Sequence, residues 1–325
     1  WENEWEKQSR DTGTTFTEMQ YAYYQQIKHA LAARDRAFAE LGSDVSAWRQ
    51  RQREIREILW KQVFFPLEEL AGARNPGESL PPPPARGFGI FSDHRGFQIH
   101  SMVLETRPGA HVPISVWVPA RPTPGEKMPL VIIAKLAINL VLGAGLAVLM
   151  FDPIAQGERH QFIGRPCTRA HDAIGQQLFL LSRSLAAYFI HDVMRIIDFV
   201  VGKLEYVDAS RLAMVGTSGG GMLTAYVGAL DDRIHSIVIG SYLGTWRMLR
   251  STACHHDAEQ IWWQGVRPLL LEKVDLVIAR APKPSLRGAG RLRGPDAGLA
   301  SDRRRAPRVR HAGSQVPGAG SGESR

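Results

Sequence analysis

Leu212-Ala213-Met214-Val215-Gly216-Thr217-Ser218-Gly219-Gly220-Gly221 decides how this chain folds. A short apolar run, the right length for a buried strand, enters a glycine-rich turn, and an apolar helical pattern continues to Leu230. The spacing G-x-S-x-G in a strand-to-helix setting holds the serine at a sharp bend, so the residues two before and two after it must be small. Gly216 and Gly220 meet that need, and Thr217 completes the turn. Ser218 is therefore a candidate nucleophile. Gly219 opens the helix, where amide N–H groups lack intrahelical acceptors, and is a candidate oxyanion donor. A glycine turn that only packs closely or binds phosphate is the competing reading. The dinucleotide fingerprint G-x-G-x-x-G is not met.

Working outward, Leu130 to Ile133 and Ala147 to Phe151 are apolar on both faces, as strands of a central parallel sheet are. A helix over Leu178 to Val201, the strand Leu212 to Val215, a helix from about Ser218 to Leu230 and a strand Ile234 to Ile239 alternate as βαβ units. Val274 to Ala279 reads as a last strand. Upstream, Phe97 to Leu104 and His111 to Val118 flank Pro108-Gly109 and read as an antiparallel hairpin. The fold class expected is α/β: a doubly wound, mostly parallel sheet, cut short on its C-terminal side.

Tyr24, Ile27, Leu31, Phe38 and Leu41 recur at helical spacing and stop at Gly42-Ser43; a second helix fits Ser46 to Val63. Its Arg49, Arg51, Arg53 and Arg56 interleave with Glu54 and Glu57, as on a solvated face. Pro81 to Pro84 is a stiff break. The organisation expected is an N-terminal helical extension over 1–80, a core over 85–280 and a disordered basic tail over 281–325. In that tail Arg, Gly, Ala, Pro and Ser supply 34 of 45 residues, a composition unable to bury a core. It reads as a frameshift of GC-rich coding sequence or as a natural basic tail.

The net charge of +8 is local, because nine Arg and one Lys against three acids give residues 281–325 +7 of it. The nearly neutral remainder offers no electrostatic case for a nucleic-acid partner. Cys167 and Cys254 form neither a disulfide framework nor a metal-ligand spacing. Met128 to Phe151 could score as a membrane span, but Gly143-Ala-Gly145 and its strand-like ends favour two strands. The chain opens at Trp1 without a signal-peptide pattern, which reads as a processed product or a fragment, and carries no compartment signal.

Arg211 to Gly221 with Ala229-Leu-Asp-Asp-Arg-Ile234, Phe151-Asp-Pro-Ile-Ala-Gln-Gly-Glu-Arg159, and the His255-His256 segment before Gly265 together resemble acetylxylan-esterase-like members of the α/β-hydrolase superfamily. The resemblance covers about residues 20 to 280. It implies a serine carboxylic-ester hydrolase acting through an acyl-enzyme on Ser218, a small-molecule or carbohydrate ester as substrate, and no metal or organic cofactor. It also implies that Asp152, Glu158 and Arg159 shape the rim of the site, and it is compatible with a secreted or periplasmic setting. A peptidase of related fold shares the same elbow and is a weaker reading.

Two parts of that resemblance are missing. The order Ser, Asp or Glu, His requires an acid and a base after the elbow. After Arg280 the candidates are His311 for the base and Asp296 and Asp302 for the acid, all in the tail. A His-Gly-rich loop should follow Leu130 to Ile133, yet thirteen residues, Ala134 to Leu146, link the two strands. Loss of one oxyanion donor costs about 10²–10³ in turnover. His160, His171 and His191 have no motif around them and read as structural. The expectation is an esterase scaffold with impaired or absent turnover; a noncatalytic binding protein and a pseudogene product are the alternatives.

Overall fold

The computed structural model describes residues 18–64, 78–93, 96–119, 125–133, 144–162, 164, 167–246, 257–262 and 270–288. Helices α1 (Glu18–Ala39) and α2 (Val45–Ile58), with a π-helical turn Leu59–Phe64, precede the strands β1 (Ala85–Asp93), β2 (Phe97–Arg107) and β3 (Ala110–Pro119). Strands β4 (Met128–Ile133) and β5 (Ala147–Phe151) follow, then α3 (Thr168–Leu180), α4 (Leu185–Lys203), β6 (Val207–Thr217), α5 (Gly219–Leu230) and β7 (Ile234–Gly240). A 3-10 turn Ala258–Gln260, a short helix α6 (Asp275–Ile278) and β8 (Ser285–Gly288) complete the set. The eight strands form one mixed sheet in the order β1-β2-β3-β5-β4-β6-β7-β8. Strands β1, β2, β3 and β5 pair antiparallel, whereas β4 pairs parallel with β5 and β6, and β6-β7-β8 continue parallel.

The apolar strands sit where both-face burial demands. Leu130, Ile132, Ala147, Val148, Leu149, Leu212 and Met214 have no exposed surface. Because β4 and β5 are sheet strands, Met128 to Phe151 is not a membrane span, and no helix among the described residues is long and apolar enough to cross a membrane. The hairpin lies where Pro108-Gly109 places it: Gly109 has φ +74, and its N–H donates to Glu105 Oε1 at 2.9 Å. Strand β1 escapes sequence reading because it is an edge strand, exposed at every residue from Ala85 to Ser92, so no burial alternation marks it.

Three readings need correction. The single helix over Leu178 to Val201 is two helices. The Ser184 hydroxyl accepts the Ala186 N–H at 3.2 Å and starts α4 afresh, while Ser182 takes φ +55 and Leu180 stands 86% exposed. The strand expected at Val274 to Ala279 is instead helix α6. Asp275 interrupts the apolar run, its Oδ2 accepts the Glu272 N–H at 2.8 Å, and a three-residue spacing buries Leu276 and Ala279 while Val274 faces out. The last strand, β8, lies inside the stretch that composition assigns to a disordered tail. All four of its residues are exposed, so its pairing with β7 and the buried Arg280 hold it rather than a core. Arg280 donates to Gly228 O at 3.1 Å, to Pro284 O at 2.6 Å and to Ser285 Oγ at 2.5 Å, and burial lowers its pKa to about 10. Residues 289–325 lie outside the described residues.

The N-terminal helices pack on the sheet side that carries α6. Asp44 caps α2 by accepting the Ser46 and Ala47 N–H groups at 2.7 and 3.2 Å. From α2, Gln52 Nε2 reaches Ile278 O at 3.0 Å and Arg56 pairs with Asp232 at 2.8 Å. From α1, buried Arg34 pairs with buried Asp275 through two hydrogen bonds, one of them 2.8 Å long.

Candidate active site

Strand β6 delivers Thr217 to the carboxyl edge of the sheet, and Ser218 turns the chain into α5 with φ +58 and ψ −121. That region is sterically closed to most side chains and persists only where the surroundings enforce it. Here the enforcement is visible. A Cβ on Gly216 would lie 2.1 Å from Gly220 O, and one on Gly221 would lie 2.4 Å from Gly240 O. The Ser218 N–H donates to Gly240 O at 3.0 Å, which pins the turn to the end of β7. Ser218 is exposed, and no side-chain hydrogen bond caps α5, so the Oγ is presented rather than spent on its own helix.

Ser218 opens on a cavity of about 180 Å³ lined by Thr217, Gly219, Gly220, Met222 and Leu223 from the elbow. Across from them stand Pro153 and Gln156 from the loop after β5, Cys167, Thr168 and His171 at the start of α3, and Asp257 and Glu259 from the 3-10 turn. The volume is below the roughly 300–1,000 Å³ of sites that engulf a drug-sized ligand. The space is of the size of a short acyl group.

Glu259 is the residue that sequence reasoning missed; it partners His171, which reads as structural in the sequence. His171 Nδ1 lies 3.1 Å from Glu259 Oε1, and Nε2 lies 2.8 Å from the Ile154 carbonyl. Burial works against the imidazolium, but the hydrogen bond and charge of Glu259 outweigh it and raise the His171 pKa. A carbonyl can only accept, so Nε2 carries a proton, and the ring has no lone pair to offer Ser218. A His–carboxylate pair thus lines the Ser218 cavity and clamps the strand-β5 loop to the 3-10 turn. Glu259 Oε2 is buried with no hydrogen-bond partner among the described residues.

The rim residues divide. Asp152 Oδ2 accepts the Glu158 N–H at 2.9 Å, and a Cβ on Gly157 (φ +55) would strike that carboxyl group at 2.2 Å, so Asp152 organises the loop. Arg159 reaches Asp192 Oδ2 at 3.0 Å in a buried ion pair. Asp152 and Glu158 line a separate cavity on the β2–β3 side, and it is Pro153 and Gln156 of the same loop that face Ser218. His160 is exposed and His191 is buried on α4; neither lines the Ser218 cavity. His255, His256, His311, Asp296, Asp302 and the segment 134–143, where the second oxyanion donor is expected, lie outside the described residues.

No protein-family model matches the chain, and no curated protein matches it. Solved structures do. A putative acetyl xylan esterase from Bacteroides fragilis superposes with a TM-score of 0.59 at 15% identity, over 74% of this chain and 68% of its own. A glucuronoyl esterase from Solibacter usitatus gives 0.51 at 14% identity, over 75% of each chain. A methylesterase gives 0.53 at 20% identity over 79% of this chain, which spans 55% of the length of that protein. At these identities the likeness concerns the fold: the chain has the mixed, mostly parallel sheet of α/β-hydrolase-type esterases.

Proposed function

We propose that this chain is a carbohydrate-esterase-type serine hydrolase with Ser218 as nucleophile, whose turnover is impaired because no competent base among the described residues reaches Ser218. Ser218 Oγ would attack the ester carbonyl carbon, expel the alcohol, which takes up the seryl proton, and pass the acyl group to water. The observation that carries the reading is the Ser218 backbone, held at φ +58 and ψ −121 by glycines that admit no side chain, at the mouth of a cavity sized for a short acyl group. The acetyl xylan and glucuronoyl esterases that share the fold support a sugar ester as substrate. The impairment rests on His171, whose ring nitrogens face Glu259 and the Ile154 carbonyl.

A noncatalytic binding protein is the second reading, favoured by that same engagement of His171. Labelling by a fluorophosphonate and hydrolysis of p-nitrophenyl acetate, each compared between the parent and Ser218→Ala, separate the two. Slow labelling and slow hydrolysis that both vanish in Ser218→Ala support the hydrolase. Equal behaviour of the two proteins removes Ser218 as nucleophile.

A further inference from the structure

The second cavity, about 430 Å³, takes in Met150, Phe151 and Asp152 at the carboxyl end of β5. Strand β5 ends at Phe151, and the loop that follows divides the two spaces: Asp152 and Glu158 line the larger one, Pro153 and Gln156 the smaller. Ligands of α/β sheets bind beyond the carboxyl ends of the parallel strands. A molecule too large for the Ser218 cavity can therefore continue over this loop into the neighbouring space.

The wall of the larger cavity contains a feature built at a cost in regularity. In the β1–β2 ladder Gly87 faces Met102 and Gly89 faces Ser101, so Phe88 is an extra residue, a β-bulge. Gly89 takes φ +147, open to glycine and not to ordinary side chains. Bulges re-aim side chains beside functional sites. This one turns Phe88 onto the cavity while leaving it 64% exposed, with the Arg86 guanidinium 5.7 Å from the ring centre. The same cavity is lined by polar residues: exposed Glu158, Asp152, Ser101 and Ser115, whose Oγ also accepts the Trp117 Nε1–H at 3.1 Å. An exposed aromatic ring flanked by carboxylates and hydroxyls matches a ligand with an apolar C–H face and a rim of hydroxyl donors. That is a pyranose ring. An anionic sugar would meet the Asp152 and Glu158 carboxylates across a short distance and be repelled.

We infer that the β2–β3 cavity is a glycan subsite, with Phe88 as stacking platform and Glu158 as hydroxyl acceptor, which holds the neutral sugar chain flanking the ester presented to Ser218. The subsite rests on the proposed function only for its position along the substrate; its affinity is independent of chemistry at Ser218. Affinity electrophoresis of the full chain through gels containing deacetylated xylan, mannan or polygalacturonate tests it. The parent and Ser218→Ala should be retarded alike by a neutral glycan and not by polygalacturonate. Phe88→Ala should weaken retardation about tenfold, and Phe88→Trp should restore it. Glu158→Gln should weaken it less. Retardation of the parent by polygalacturonate alone, by none of the three, or equally in Phe88→Ala overturns the subsite. So does a Phe88→Ala protein that keeps its glycan affinity but sediments as a smaller species, which would make the exposed β1 edge a self-association surface. Fluorophosphonate labelling, which does not involve Phe88, reports separately on Ser218.

Discussion

Ser218 and Cys167 share a backbone conformation: φ +58 and +52 with ψ −121 in both, each immediately before the first residue of a helix, and both on the wall of one cavity. Two strained corners therefore face each other across the candidate site, one at the start of α5 and the other at the start of α3. Such conformations cost about 1–3 kcal/mol each and are relieved by glycine. Ser218→Gly should exceed Ser218→Ala in stability by about 1 kcal/mol after allowance for the greater freedom of the unfolded glycine chain. Urea unfolding of the two variants measures it. A glycine variant less stable than the alanine variant would contradict the strain.

Because Cys167 lines the Ser218 cavity, a bulky group on its thiol should fill a space of only about 180 Å³. Alkylation mapped to Cys167 by peptide mass spectrometry should reduce fluorophosphonate incorporation at Ser218 several-fold. Cys167→Ala should be labelled at Ser218 whether or not the alkylating agent is present.

Gly216→Ala places a methyl group 2.1 Å from Gly220 O, a backbone atom that cannot swing aside. The expected cost is about 1–3 kcal/mol or more. Labelling of Ser218 should fall with it, since the elbow must open to relieve the clash. A protein of parental stability that labels normally would show that the turn is not closed by this contact.

The buried Arg34–Asp275 pair links α1 to α6 across 241 residues of sequence. Removing one partner of a buried pair leaves an uncompensated charge and costs about 3–5 kcal/mol. Arg34→Met should lower the denaturation midpoint accordingly, and Arg34→Met combined with Asp275→Leu should recover part of the loss. Additive losses in the double variant would argue against a direct pairing.

His171 supplies a pH dependence whose sign follows from its raised pKa. Its imidazolium binds its proton more tightly folded than unfolded. The resulting stability is fully present below the unfolded value of about 6.5 and is lost as pH rises through the higher folded value. Tm should fall in the parent as pH rises above about 6.5, and the slope should flatten in His171→Gln. An unchanged slope would place the proton elsewhere.

The elbow was legible because its requirement is local. Small residues at 216 and 220, an apolar run before them and an apolar helix after them are adjacent in the chain, and steric closure of a sharp turn needs nothing from elsewhere. The two-face burial of β4 and β5 and the turn at Pro108-Gly109 were legible for the same reason. What tertiary structure alone decided is pairing between distant segments. Strand β1 and the Phe88 bulge exist because β2 offers a ladder, and β8 exists because β7 and Arg280 hold four exposed residues in register. Helix α6 replaced an apparent strand because Asp275 finds Arg34 and the Glu272 amide. His171 is held at the Ser218 cavity by Glu259, 88 residues away, and by the Ile154 carbonyl, contacts that occupy both of its ring nitrogens. Sequence determined where a nucleophile could stand, since that is fixed by neighbours along the chain; folding decided what surrounds it, since charge and hydrogen-bond partners are brought together only by the packed sheet.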